Sequence, residues 1–352
     1  MSKIHRIATI RRRPTMTSKK FTRAVNKKIR LNDFLEERGM YIPFKNLGKK
    51  HSWKHIAAGG FGIVYKAKYK GKNVAVKQLQ INSYSGTEHM IDEVKKEIIL
   101  MQKISGLSDV FPIIYGALQR GRNIYMVMEL AKGKELYDYF EDDYLFKALS
   151  QQQKYNIICK LLKALKILHQ NGVVHSDIKL ENIMYDRKTN TVKLMDYGLS
   201  CAFRITQWAK NLSDYYQTRC MRDRQRGTPL YFSPELIESD YISNDKFKSN
   251  DVWGLGIVAF MLIMGYYPFD DETEDVVTLL KSIRNGDVDK IHFEQDITKN
   301  TQNMIRDMLN KNYTKRKTTT QLINTYCKSS SNKVITRKQI TAIRNTSLRR
   351  RA

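Results

Sequence analysis

Along this chain, apolar residues first alternate with polar ones and later recur at every third or fourth position. Alternation over 53–57, 63–69 and 73–79 predicts three strands, with Gly71-Lys72 as the turn between the last two. Val94, Ile98, Met101 and Ile104 then share one face of a helix over 94–104. Strands over 111–117 and 123–130 follow. Past Gly133 the helical period dominates, over 152–170, 252–264, 275–285 and 301–309. The expected architecture is α+β: a small antiparallel β-sheet lobe with one helix, feeding a larger, mainly helical lobe. The longest apolar stretch, 252–267, falls short of the roughly 20 apolar residues that cross a bilayer, so it reads as a buried core helix and no transmembrane segment is expected.

Charge divides the chain differently. Of a net +27, most lies at the ends: residues 1–50 hold 15 Lys/Arg against three acids, and 328–352 hold eight Lys/Arg and no acid. Residues 1–50 therefore read as a basic, partly disordered extension and 328–352 as a basic tail around a body over 51–327, split near residue 130. Residues 34–44 have enough apolar side chains to pack back on that body. Cationic ends attract nucleic acid or nucleoprotein by counterion release, although nothing in them reads a base. The acid-free first 32 residues suit simple disorder, a nuclear-import or nucleic-acid-binding arm, and a mitochondrial-type presequence alike. Cys159, Cys201, Cys220 and Cys327 are scattered without C-x-x-C spacing. Reduced thiols in an intracellular setting, cytoplasm or nucleus, are the expectation, with the mitochondrion as the lesser alternative.

The chemistry concentrates in His175-Ser176-Asp177-Ile178-Lys179-Leu180-Glu181-Asn182, followed by Asp196-Tyr197-Gly198. Two carboxylates, a lysine and a carboxamide at this spacing suit phosphoryl transfer. The run resembles the catalytic and magnesium-binding loops of eukaryotic protein kinases. That resemblance implies a two-lobed protein-kinase fold, ATP and Mg2+ as cofactors, Asp177 as the base, Lys179 as a neutraliser of phosphoryl charge, and Asn182 and Asp196 as metal ligands.

Further segments carry the same resemblance in order. Ala57-Ala58-Gly59-Gly60-Phe61-Gly62-Ile63-Val64 is similar to the family's glycine-rich loop, with Ala57 replacing its first glycine. Ala57, Gly59, Gly60, Phe61, Gly62 and Val64 are thereby implied in nucleotide binding. Val74-Ala75-Val76-Lys77 resembles the third-strand motif, which brings Ala75 and Lys77 to the nucleotide, with Glu97 orienting the lysine and Glu93 as second choice. Met128, Glu129 and Ala131 fall in the connection that borders adenine. Glu135 matches a contact to ribose or to a substrate arginine, or else a helix cap. Gly227-Thr228-Pro229-Leu230-Tyr231-Phe232-Ser233-Pro234-Glu235 resembles the end of an activation segment, Asp251 a brace for the catalytic loop, and Arg316 the buried partner of Glu235.

Lys179 and Thr228 match serine/threonine kinases rather than tyrosine kinases. Ser176 stands where most relatives carry an arginine that receives an activation-loop phosphate, so activity independent of that phosphorylation is expected. The expected function is a monomeric Ser/Thr protein kinase acting on protein substrates, with basic ones favoured through Glu135 and Glu181. The alternatives are a pseudokinase scaffold that binds partners through its basic tails, and a small-molecule kinase. The Gly227–Glu235 segment argues against the latter.

Overall fold

The computed structural model describes residues 31–59, 62–81, 87–203, 227–238, 243–269, 275–294 and 296–327. Strands β1 (Lys54–Gly59), β2 (Gly62–Tyr69), β3 (Lys72–Gln80), β4 (Ile114–Arg120) and β5 (Asn123–Glu129) form one antiparallel sheet in the order β1-β2-β3-β5-β4. The β2–β3 turn is Lys70-Gly71, one residue earlier than the alternation suggests. Both residues have positive φ (46° and 77°), the conformation a tight hairpin needs to follow the strand twist, and Lys72 then pairs with Tyr69. β4 begins three residues later than predicted because Phe111 is buried in the core instead of entering the sheet.

Two chain segments cover this sheet. Helix α2 (Thr87–Ile104) buries Val94, Ile98, Met101 and Ile104 against it, the face that the periodicity predicts. Helix α1 (Leu31–Glu37) begins just inside the stretch read as a disordered tail. Its Leu31 and Leu35 are fully buried, and Asn32 both donates to and accepts from the backbone of Gln119 on β4. Tyr41 then pairs in parallel with Ala117. Ile42, Leu47 and Trp53 close a second core over Val74, Val76, Leu118 and Val127 on the sheet's other face. Residues 31–53 thus belong to the folded lobe.

The large lobe contains α3 (Leu136–Glu141), α4 (Asp143–Lys147), α5 (Gln151–Gln170), α6 (Pro234–Glu238), α7 (Asn244–Met264), α8 (Val276–Asn285), α9 (Lys299–Met308) and α10 (Thr319–Tyr326). Short ladders join β6 (Lys134–Glu135), β8 (Ile183–Asp186) and β9 (Thr191–Leu194), and pair β7 (Val173–Val174) with β10 (Cys201–Ala202). A reciprocal cap between Ser150 and Gln153 starts α5. α7 starts eight residues before the predicted 252, because its first two turns are polar and Ser243 caps them. By length and composition the 245–264 part of α7 is long and apolar enough to cross a membrane, yet 89% of it is buried within the fold. The cysteine expectation is corrected here: Cys159 of α5 and Cys327, just after α10, form a disulfide across 168 residues of sequence, and Cys201 is disulfide-bonded as well. Their scattered spacing reflects distant pairing, so it no longer argues for a reducing compartment.

Candidate active site

The small sheet builds one side of the site. Gly59 faces Gly62 across the β1–β2 hairpin, and Ala57 faces Val64 just past an irregularity in the pairing. Gly62 has φ 119°, and a Cβ there would lie 2.3 Å from the carbonyl oxygen of Gln78, so glycine is required. Gly60 and Phe61 lie outside the described residues. On β3, Ala75 and Lys77 share a face because side chains alternate along a strand. Val64 lies opposite Lys77 on β2, and Met128 lies opposite Ala75 on β5. Glycine loop, lysine and the buried Met128 therefore meet on one surface. Glu129 differs from its neighbours: its Oε2 accepts from Lys193 Nζ at 2.8 Å and from the Ile113 amide at 3.1 Å, and its own amide donates to the Ile113 carbonyl at 2.7 Å, so both its carboxylate and its amide are engaged within the protein. Ala131 follows in the connection to β6.

Lys77 is buried, and its Nζ lies 3.1 Å from Glu97 Oε1 and 2.8 Å from Asp196 Oδ1. Glu93 is engaged with Lys96 at 2.7 Å, so Glu97 is the carboxylate that orients the lysine. Burial works to lower the Lys77 pKa, but the Glu97 and Asp196 carboxylates overcome it and raise it above the ordinary lysine value. Burial likewise pushes the Glu97 carboxyl up against the pull of Lys77. Asp196 also meets a burial penalty, but the Lys77 ammonium outweighs it and holds this carboxyl below its usual range. Asp196 has φ 60° and accepts the Gly198 amide at 3.3 Å, which aims its side chain back at Lys77. At 24% side-chain exposure it is the most accessible of the three charged groups, as a cation ligand must be.

The catalytic loop is held from beneath by α7. Asp251 accepts the amides of His175 (2.9 Å) and Ser176 (2.8 Å) and the Nε2–H of His169 (2.9 Å). His175 donates from Nε2 to the Met195 carbonyl at 3.0 Å, and its ring meets that of Tyr197 at 5.0 Å, joining the catalytic loop to the Asp196 loop. Ser176 turns through φ 69°, and its buried hydroxyl makes no hydrogen bond.

Beyond that turn Asp177 meets its partners. Its Oδ1 accepts from Thr228 Oγ1 at 3.0 Å, while Lys179 Nζ lies 3.2 Å from Oδ2 and 2.9 Å from Thr228 Oγ1. Asn182 Nδ2 donates to the Asp177 backbone oxygen (2.9 Å) and to Oδ2 (3.0 Å). Both bonds use the amide nitrogen, so the carbonyl oxygen is the atom left for a cation. One carboxylate and one amide oxygen, Asp196 and Asn182, form the sparse donor set that Mg2+ accepts when phosphates and water complete its shell. Thr228 reaches the loop because Gly227 lies against the Ser176 carbonyl, and Glu235 behind it is clamped by Arg316 through two bonds of 2.6 and 2.9 Å.

Lys77, Glu97 and Asp196 meet in one cluster, Asp177, Lys179 and Asn182 in a second, and Ala57, Gly59, Gly62, Val64, Ala75 and Met128 lie on the strands around Lys77. Thr228 was legible as a marker of acceptor type but not as a partner of Asp177, and the bracing role of His169 had no sequence signal. Glu135 is the residue that caps the start of α3. Burial first, then Asp138 and Glu181, push its carboxyl up to about 7.

The protein kinase domain family matches residues 51–326. A probable serine/threonine-protein kinase, fhkB of Dictyostelium discoideum, is 31% identical over 242 residues, covering 67% of this chain and 19% of the relative. Human NUAK family SNF1-like kinase 1 is 28% identical over 284 residues, covering 78% and 39%. Calcium-dependent protein kinase 5 of Plasmodium falciparum is 26% identical over 270 residues, covering 74% and 42%. The chain spans less than half the length of these relatives.

Proposed function

The chain belongs to the protein kinase family, and from that premise we propose that it transfers the γ-phosphoryl group of ATP to serine or threonine hydroxyls of proteins. The observation that carries this reading is the pair of connected charge clusters, Lys77–Glu97–Asp196 and Asp177–Asn182–Lys179–Thr228, with every position filled. Asp177 takes the proton of the attacking hydroxyl, held in place by Asn182 and Thr228. Lys179 steadies negative charge on the transferred group, and Lys77 binds the phosphates that stay behind. Asn182 and Asp196 are the residues to hold Mg2+, which when bound neutralises phosphate charge.

The assignment of Asp177 has a direct test. Asp177→Ala should retain ATP binding by calorimetry while losing roughly 10²–10⁴-fold in phosphoryl transfer to a peptide. Equal turnover by the two proteins removes Asp177 as the base.

Ser176 supports a second element of the proposal, activity without activation-loop phosphorylation. Ser176 itself offers no guanidinium to receive a phosphate, and the brace comes instead from Asp251 to the backbone. Phosphatase-treated protein, verified by intact mass, should keep the turnover of the untreated sample. A collapse of activity on dephosphorylation overturns this point.

For the acceptor, Glu135 and Glu181 stand close enough that their repulsion raises the Glu135 pKa. A substrate arginine relieves that repulsion, which favours basic sequences upstream of the acceptor. The basic tails add a general attraction to nucleic acid or nucleoprotein.

A further inference from the structure

We propose that the exposed rim of the small lobe, formed by β1 and the β2–β3 hairpin, is a docking face for single-stranded nucleic acid, separate from the basic tails and independent of phosphoryl transfer. The first observation is compositional. Residues 38–87 contain ten Lys/Arg and no Asp or Glu. All five strands of the sheet together hold one acid, Glu129, at the last position of β5, and it is already paired with Lys193.

The second observation is placement. Lys66, Lys68, Lys70 and Lys72 on the hairpin are all exposed, and among the described residues none of them forms a salt bridge. Lys54 on β1 lies directly opposite Lys66 on β2. Like charges in directly opposed positions weaken a sheet, so folding alone gives no reason for that pair. Lys70 occupies a left-handed turn position (φ 46°) where Asn, Asp or Gly is the low-cost choice. Lysines on an edge strand do guard against sheet-to-sheet association, and that accounts for Lys54. It does not account for the hairpin cations, which lie inward of the β1 edge.

The third observation selects the ligand. Half-buried Tyr65 and Tyr69 alternate with Lys66 and Lys68 along β2, and Tyr69 lies directly opposite Lys72 on β3, so ring and cation share one face at the hairpin tip. Lys70 Nζ stands 5.3 Å from the Tyr69 ring centre, Tyr69 lies 6.1 Å from Tyr115, and Lys50 Nζ lies 5.8 Å from Tyr65. A strand crossing the hairpin tip meets cations for its phosphates and aromatic rings for its bases, the combination that binds single strands without reading sequence. An anionic membrane calls for apolar side chains that protrude beside the charge. On β1 and the β2–β3 hairpin Ile56 is the one large hydrophobic counted as exposed.

The test uses the full chain, tails intact, and a fluorescein-labelled homopyrimidine oligonucleotide followed by anisotropy through a KCl titration. Combined Lys66→Gln, Lys68→Gln, Lys70→Gln and Lys72→Gln should weaken binding about tenfold or more and flatten the log–log salt slope by about 3, since each lost phosphate contact on a single strand removes about 0.7. Tyr69→Ala should weaken binding with the slope unchanged. The lysine variant should keep the wild-type melting temperature and both variants the wild-type peptide phosphorylation, so a failure here leaves the kinase reading intact. Tyr69 packs on the second core, so Tyr69→Ala lowers the melting temperature and its binding is measured well below that temperature. Should the quadruple variant misfold, Lys68→Gln with Lys72→Gln should show about half the slope change. Wild-type affinity and slope in the lysine variants assign all binding to the tails and overturn the proposal. So does a matching loss on phosphatidylserine vesicles without one on the oligonucleotide, or a preference for duplex that ignores Tyr69→Ala.

Discussion

Glu135 is a carboxyl whose ionisation the fold moves close to neutral pH. With a carboxyl pushed up to about 7 by burial and by Asp138 and Glu181, it is about half protonated at that pH and becomes a carboxylate above it. Only the carboxylate attracts a guanidinium. The KM for a peptide with an arginine upstream of its acceptor should therefore fall as pH rises through about 7, while a matched peptide without arginine shows no such trend. Glu135→Gln should flatten the difference, and an arginine effect that survives in this variant assigns recognition elsewhere. The linkage has a stability counterpart. A carboxyl whose folded pKa lies above its unfolded one holds its proton more tightly in the fold, so this group's contribution declines as pH rises toward and through about 7. Single residues differ in how openly the sequence displays them. Asp177, Lys179 and Asn182 lie within six residues of one another, so their joint chemistry is visible in one run. The Thr228–Asp177 bond joins residues 51 apart and forms where Gly227 lies against the Ser176 carbonyl.

At the scale of elements, the strands and the long helices follow their periodicity, while elements defined by contact rather than pattern do not. α1 is the main case. It is seven residues long, too short to declare a period, and it exists because Leu31 and Leu35 find a buried site beside β4 while Asn32 ties to Gln119. It also reaches α2, the helix that carries Glu97: the Phe34 ring lies 5.5 Å from Lys95 Nζ. Leu35→Ala should cost about 2–5 kcal/mol in small-lobe stability, as buried leucine truncations do. Because α1 abuts the helix that holds the Lys77–Glu97 pair, the same variant should raise the KM for ATP more than it lowers kcat. Thermal unfolding and ATP titration together check this. An unchanged ATP KM despite the stability loss shows that α1 supports the sheet without positioning Glu97.

Across the whole molecule, the least legible feature is the one with the widest span. Nothing local to Cys159 or Cys327 indicates pairing, because α5 sits centrally in the large lobe and residue 327 follows the last described helix. Only the packing of α10 on α5 brings them together, helped by the bond from the Tyr155 hydroxyl to the Tyr326 carbonyl and the cap at Thr318. The disulfide pins the end of the described fold, where the basic tail begins, to the helix at the centre of the lobe. Closing so long a loop restricts the unfolded chain, and such links typically contribute about 2–4 kcal/mol. Cys159→Ser and Cys327→Ser should therefore each lower unfolding stability by a similar amount. The double variant should lose no more than either single one, since both remove the same bond. Reductant is a less selective probe, because Cys201 is disulfide-bonded too and reduction removes both links. Denaturant unfolding of the three variants decides the point: additive losses mean two independent buried thiols, and non-additive losses mean one covalent tie across the lobe.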